Sequence, residues 1–136
     1  MSESAVSAEW DGVVEVAEIV NTGLPAPAAE RFWANYTASA CLNRLPKKYR
    51  VWVALFRAVA ARNAAQMIDT AEALLEEPDK SPRQIEYLVL AAATGYLAEG
   101  RAAEARRILG EAMPAMSLAV RNKPWFMLER KLAGGG

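Results

Sequence analysis

Residues 84–113 carry two stripes of apolar side chains on either side of a glycine, and each stripe has the spacing of one helix face. The positions recur every three or four residues, which brings their side chains together on an α-helix. Gly100, between the stripes, can adopt the left-handed conformation that ends a helix. The first stripe consists of Ile85, Leu88, Val89, Ala92, Ala93, Tyr96 and Leu97, and the second of Ala102, Ala105, Ile108, Leu109 and Ala112. We therefore predict two antiparallel helices packed against each other.

The same pattern occurs 38 residues upstream, which is the offset from Val51 to Val89. With this offset the apolar positions of both helices coincide, and Arg62 falls on Gly100. The matching positions are Val51, Ala54, Leu55 and Ala58 in the first helix and Ala71, Leu74 and Leu75 in the second. A fainter copy lies in residues 8–45. Repeats of this length indicate helix pairs stacked side by side.

The two-helix unit resembles the tetratricopeptide repeat. The resemblance is carried by Val89, Ala92, Ala93 and Tyr96 in the first helix and by Ala105, Leu109 and Ala112 in the second. Val89 stands where the family usually has Trp, and Pro114 comes earlier than the family's closing proline. The unit of 38 to 39 residues is longer than that of the family and approaches that of HEAT repeats, which stay an alternative. The resemblance implies an all-helical array whose concave groove binds partner proteins.

The predicted fold is a single all-α domain of about three antiparallel helix pairs, stacked as a short right-handed superhelix. A stacked array exposes the apolar face of its last unit, so a terminal capping helix is expected. Trp125, Phe126, Leu128 and Leu132 supply the apolar side chains of this cap. The predicted units are 8–45, 47–78 and 82–113, followed by the cap at 115–133, with flexible ends at 1–7 and 134–136.

Acidic and basic side chains are equal in number, 16 of each, so the net charge is zero. No bulk charge favours binding to nucleic acid or to an anionic membrane. The charges are nonetheless segregated, because residues 1–30 contain six acids and no base whereas residues 31–68 contain seven bases and no acid. We expect this basic segment to pair with the acids of residues 1–30 and 69–77. The alternative is that it receives an acidic segment of a partner.

Side chains that carry catalysis are scarce. The chain has no histidine and a single cysteine, Cys41, which removes the commonest general base and any thiolate metal cluster. No glycine-rich phosphate-binding motif follows a predicted strand. We predict that the protein is not an enzyme, that it binds no metal or cofactor, and that Cys41 is a buried, unreactive side chain.

The beginning of the chain is acidic and polar, without the basic and apolar regions of a signal peptide. The longest apolar runs are shorter than the roughly 20 residues of a transmembrane helix. We therefore expect a cytoplasmic protein with no membrane span.

The predicted helix from Tyr49 to Ala61 is apolar on nearly every side, and such a helix must be covered. In a tetratricopeptide array the side chains that do not face neighbouring helices line the concave groove. The resemblance thus gives a candidate partner-binding site made of Tyr49, Trp52, Phe56, Val59, Tyr87, Leu90, Thr94 and Leu97, bordered by Arg50 and Arg57. The expected partner is a peptide or amphipathic helix of another protein, as for an adaptor, scaffold or chaperone.

Two other interpretations of the same residues stay open. The first unit, the helix containing Trp125 or a second copy of the chain covers the groove, which leaves an architectural role as a spacer or homodimer. Single-stranded nucleic acid stacking on the aromatic side chains is less favoured, because the net charge is zero.

Overall fold

The computed structural model of the chain describes residues 3–39, 46–78, 80–132 and 134, with all their side chains except those of 3–9, 39, 115 and 125. The described residues form helices and turns, and none of them lies in a β-strand. The helices are α1 (Glu3–Gly23), α2 (Ala26–Ser39), α3 (Lys47–Ala61), α4 (Ala64–Leu75), α5 (Pro82–Ala98), α6 (Ala102–Ala112), α7 (Leu118–Arg121) and α8 (Pro124–Leu132). The prediction of an all-α fold is confirmed. Cys41, Arg44 and the side chain of Trp125 lie outside the described residues.

Local capping sets the starts of α4 and α5. Asn63 and Ser81 precede these helices, and their side chains accept hydrogen bonds from the backbone N–H groups of Gln66 and Gln84 at 3.2 and 3.1 Å. Pro82 occupies the first turn of α5. Backbone N–H groups in this turn have no acceptor within the helix, so the N–H group that proline lacks costs no hydrogen bond.

Left-handed residues follow α3 and α5 at equivalent positions. Arg62 has a φ of 59° and Gly100 a φ of 74°, and these are the two residues that the internal repeat superimposes. Glycine adopts this conformation without strain, whereas arginine has a Cβ atom that opposes it. The Arg62 guanidinium donates to the backbone carbonyl of Val59 at 3.0 Å and to that of Asn21 at 3.2 Å. The predicted equivalence of the two helix ends is confirmed.

The first helix departs from the order expected of an extended array. Successive helices pack against each other from α2 to α6, and α8 lies against α5 and α6. α1 contacts not only α2 but also α3 and α5. Each unit of an extended repeat array contacts only its neighbours. The contact between α1 and α5 therefore closes the molecule on itself. α1 also begins at Glu3, ahead of the expected start at residue 8.

Aromatic rings from four helices meet in the core. Phe56 of α3 contacts Trp33 of α2 at a centroid distance of 5.0 Å, Tyr87 of α5 at 5.4 Å and Trp10 of α1 at 6.1 Å. Trp52, one turn before Phe56, contacts both Phe56 and Tyr87. Each ring pair adds about 0.5–1.5 kcal/mol beyond the burial of its area. The ring cluster therefore holds α1 and α2 to the later helices.

Small residues bring α4, α5 and α6 close together. Ala71, Ala92 and Ala105, one from each of these helices, are fully buried. At Gly95 of α5, an added Cβ atom would lie 2.9 Å from a side-chain atom of Ile68 on α4. The backbones thus approach to a distance that leaves no room for a larger residue at position 95.

Candidate interaction surfaces

The predicted aromatic groove is filled by the chain's own first helix. Tyr49, Trp52, Phe56, Val59, Tyr87 and Leu90 are each 7% exposed or less, while Thr94 and Leu97 are partly buried. α1 places one stripe of side chains over them, made of Trp10, Val14, Ala17, Val20 and Asn21, all buried. The expectation of an open groove is corrected here, because in the single chain α1 occupies the place assigned to a partner helix.

Asn21 joins α1 to three other helices through its buried side-chain amide. Its Nδ2 atom donates to the backbone carbonyl of Phe56 at 3.1 Å and to the Tyr87 hydroxyl at 3.0 Å. Its Oδ1 atom accepts from the Trp33 indole N–H at 2.9 Å. The sequence signal for a buried Asn21 is its helical spacing from Trp10, Val14 and Ala17, which places all four residues on one face of α1.

Ionic contacts fix the side of α1 that faces α5. Arg83 of α5 pairs with Glu15 at 2.6 Å and with Glu18 at 3.3 Å, both on α1. Lys123, before α8, pairs with Glu18 at 3.5 Å and with the buried Glu86 of α5 at 2.5 Å. Glu15 and Glu18 therefore pair with bases from the second half of the chain. The expectation that residues 31–68 supply those bases is wrong for these acids.

The basic residues of α3 form a stripe on its outer face, which we call the α3 stripe. It consists of Lys47, Arg50, Ala54, Arg57 and Ala61, whose spacing places them on one side of the helix. None of the five is buried. Within the described residues, Lys47, Arg50 and Arg57 form no ion pair or hydrogen bond through their side chains. Of the predicted site, Arg50 and Arg57 thus remain accessible, and Lys47 joins them.

A cleft of about 310 Å³ runs beside the α3 stripe. Ala54, Ala58 and Ala61 of α3 line it together with Glu30 and Trp33 of α2, Arg57 and Gln66. The alanines make the floor shallow, so a backbone from outside can approach α3 closely. Glu30 is the acid that lines this cleft among the described residues, and it forms no ion pair with Arg57.

A second cleft, which we call the α4–α6 cleft, has a volume of about 540 Å³ and carries the opposite charge. Leu75, Ile85, Val89 and Ile108 give it an apolar floor, and Glu72, Glu76 and Glu111 are its acids. Arg107 also lines it and lies 3.6 Å from Glu72 and 3.3 Å from Glu111. Glu76 forms no ion pair within the described residues. The cleft therefore combines an apolar floor with an acidic rim.

Thr94, predicted to face a partner, instead contacts α8. Its hydroxyl donates to the carboxyl group of Glu129, which is 6% exposed. The other carboxyl oxygen of Glu129, Oε2, is buried without a hydrogen-bond partner among the described protein atoms. Burial raises the pKa of Glu129 to about 8, and the bond from Thr94 opposes the rise. Glu129 is therefore mostly protonated at neutral pH.

Some large apolar side chains outside the predicted site are exposed. Ile19 on the outer side of α1 and Leu128 and Leu132 on α8 are all more than half exposed. The sequence placed Leu128 and Leu132 on the cap, and their spacing of four residues puts them on one face of that helix.

The helices formed by the described residues lack the length and apolar character needed to cross a bilayer. In the same residues, no set of three or more His, Cys, Asp or Glu side chains is arranged to hold a metal ion. No protein-family model, curated protein or solved structure matches this sequence.

Proposed function

We propose that the protein is a non-catalytic helical-repeat module that binds an acidic segment of a partner protein on the α3 stripe. The observation that carries this proposal is the state of Lys47, Arg50 and Arg57. They lie on one exposed helix face without an ion pair in the described part of a chain that contains 16 acids. Unpaired like charges on one face repel each other and attract an oppositely charged partner.

The size of the stripe favours a short protein segment over a nucleic acid. Lys47 and Arg57 are ten residues apart, which corresponds to about 15 Å along a helix. This length matches about three turns of a partner helix. Two exposed acids, Asp69 on the adjacent α4 and Glu76 directly after it, repel a long polyanion that lies across this region.

The repeat architecture that we propose is similar to a tetratricopeptide array with its groove closed. Support comes from the order of helix packing from α2 to α6 and from the equivalent left-handed ends at Arg62 and Gly100. The contact between α1 and α5 is the departure from such an array. In this arrangement α1 occupies the groove, at the position where an open array binds a helix of a partner protein.

An architectural role is the second candidate, and the burial of Trp52 and Phe56 beneath α1 favours it. A spacer needs a rigid, fully packed body and no vacant site. In that case the α3 stripe serves solubility and binds no segment of another protein.

Titration with two matched peptides separates these candidates. One is an alanine-based helical peptide with glutamates spaced three and four residues apart, and the other carries lysines at the same positions. We expect the acidic peptide alone to bind and to shift the NMR signals of Lys47, Arg50 and Arg57. The double change Arg50→Glu with Arg57→Glu should abolish binding, whereas Lys131→Glu on the exposed part of α8 should leave it unchanged. Equal binding of both peptides, or none, would contradict the proposal.

A further inference from the structure

We propose that the acidic partner of the α3 stripe is the α4–α6 cleft of a second copy of this chain, so that two copies form a closed dimer. The inference rests on the proposed function and names the partner of the same surface.

Both surfaces border the outer ridge of α4. This ridge consists of Ala65, Gln66, Asp69 and Ala73 on the helix and of Glu76 directly after it, all exposed. Gln66 lines the cleft beside the α3 stripe, and Glu76 lines the α4–α6 cleft. The basic surface therefore lies along one side of α4 and the acidic surface along the other, and both are reached from the same side of the molecule.

The charges of the two surfaces are complementary. The basic surface has Lys47, Arg50 and Arg57 against one acid, Glu30. The acidic surface has three acids, including Glu76 and Glu111, against one base, Arg107. When the surfaces meet, three bases and one acid of one copy face three acids and one base of the other. The electrostatic attraction between the copies therefore exceeds the repulsion.

The arrangement of the two surfaces favours a closed dimer over an open chain. In a twofold dimer the same patch of both subunits is used, and each residue of one subunit meets its complement on the other. When two copies face each other, a half turn about an axis that lies in the interface, between the basic and the acidic surface, relates one copy to the other. This half turn places the basic surface of each copy opposite the acidic surface of the other. A single twofold axis therefore matches both basic surfaces with both acidic surfaces, leaving no charged surface of this pair to recruit a third copy.

Small side chains between the charged surfaces allow the two copies to approach. Ala65 and Ala73 lie on the ridge of α4, and Ala54 and Ala61 lie within the α3 stripe. The floor of the α4–α6 cleft supplies apolar contact area, with Leu75 and Ile85 each partly exposed. A binding site with an apolar floor and a charged rim has the usual arrangement of a protein interface.

Analytical ultracentrifugation of the full chain and of two reversed-charge variants tests the dimer. The first variant carries Arg50→Glu and Arg57→Glu, and the second carries Glu76→Lys and Glu111→Lys. We expect the wild type to sediment at twice 14.8 kDa at about 50 mM salt and as a monomer at about 500 mM salt. Each variant alone should be monomeric at both salt concentrations. An equimolar mixture of the two variants should form a dimer, because the reversed surface of one variant meets the oppositely charged reversed surface of the other and the two unchanged surfaces meet as in the wild type.

The mixing step also controls for folding, since an unfolded variant could not restore the dimer. A helical circular dichroism signal equal to that of the wild type provides a second control, and Lys131→Glu should dimerise as the wild type does. A wild type that is monomeric at low salt, that grows beyond a dimer, or whose variants fail to recombine would overturn the inference. If the wild type is monomeric but still binds the acidic peptide through Arg50 and Arg57, the proposed function stands and only the identity of the partner is lost.

Discussion

Asn21 shows how a single polar side chain can set the position of a whole helix. Its amide donates hydrogen bonds to Phe56 and Tyr87 and accepts one from Trp33, and each of these residues belongs to a different helix. An apolar stripe can slide along its neighbours at little energetic cost, whereas a buried amide has partners in one position only. Asn21 therefore fixes the register of α1 in the groove.

Asn21→Ala is predicted to destabilise the fold by about 2–4 kcal/mol, because it leaves the Trp33 indole N–H and the Tyr87 hydroxyl buried without partners. Urea denaturation followed by circular dichroism measures the free energy of unfolding. The matched control is Asn35→Ala, since Asn35 is exposed on α2 and forms no side-chain hydrogen bond in the described residues. Equal effects of the two changes would show that the amide does not hold α1.

Arg62 combines an unfavourable backbone conformation with a useful side chain. Its φ of 59° is strained for a residue with a Cβ atom, while its guanidinium binds the carbonyls that end α1 and α3. Arg62→Ala removes the hydrogen bonds and keeps the strain, whereas Arg62→Gly removes both. We predict that the glycine variant is more stable than the alanine variant by about 1 kcal/mol. A thermal denaturation series gives this difference directly, and an alanine variant of equal stability would refute it.

Glu129 makes stability depend on pH through a pKa that is higher in the folded chain, about 8, than its ordinary value of 4.5. The folded state then holds a proton that the unfolded state releases. The contribution of this residue is complete below pH 4.5 and is lost as the pH rises towards 8. We therefore predict that the wild type loses more thermal stability between pH 5 and pH 9 than Glu129→Gln does. Parallel curves for the two proteins would contradict the buried, protonated state.

At the scale of helices, the close approach of α4 and α5 depends on Gly95. A Cβ atom there would lie 2.9 Å from Ile68 and 3.0 Å from the backbone oxygen of Ala64, so the helices must move apart to accept it. Gly12, in the middle of α1, has no atom within 4 Å of the same position. We predict that Gly95→Ala destabilises the fold by about 1–3 kcal/mol. Gly12→Ala should instead stabilise it by about 0.5–1 kcal/mol. A stabilising Gly95→Ala would show that α4 and α5 are not in this contact.

The sequence predicted the helices well because their signals are local. The periodicity of residues 84–113 and the helix end at Gly100 depend only on neighbouring residues, and both appear where they were expected. The position at which α1 packs depends instead on contacts between residues far apart in the chain. Glu15 of α1, for example, is the partner of Arg83 on α5, 68 residues away in the sequence. Such a pair can be recognised only once the fold brings its two members together.

At the scale of the whole molecule, filling the groove changes which surface is left for partners. The aromatic side chains were predicted to be a binding site because they exceed what two neighbouring helices can bury. α1 buries this excess, because its Trp10 packs on Tyr49 and Phe56, which were assigned to the groove. Of the predicted site, the charged border at Arg50 and Arg57 stays outside. The excess of apolar residues thus correctly indicated that these side chains contact a further helix. That helix is α1 of the same chain.

The most direct test of this closed groove is an NMR measurement of distances between side chains in the isotopically labelled chain, at about 500 mM salt to suppress contacts between charged surfaces of different copies. The Trp10 and Tyr49 rings have a centroid distance of 4.8 Å, and the Asn21 amide nitrogen lies 3.0 Å from the Tyr87 hydroxyl. We predict nuclear Overhauser effects between Trp10 and Tyr49 and between the Asn21 amide and the Tyr87 ring. The absence of both, with narrow signals from a mobile α1, would show that the groove is open and would contradict the account.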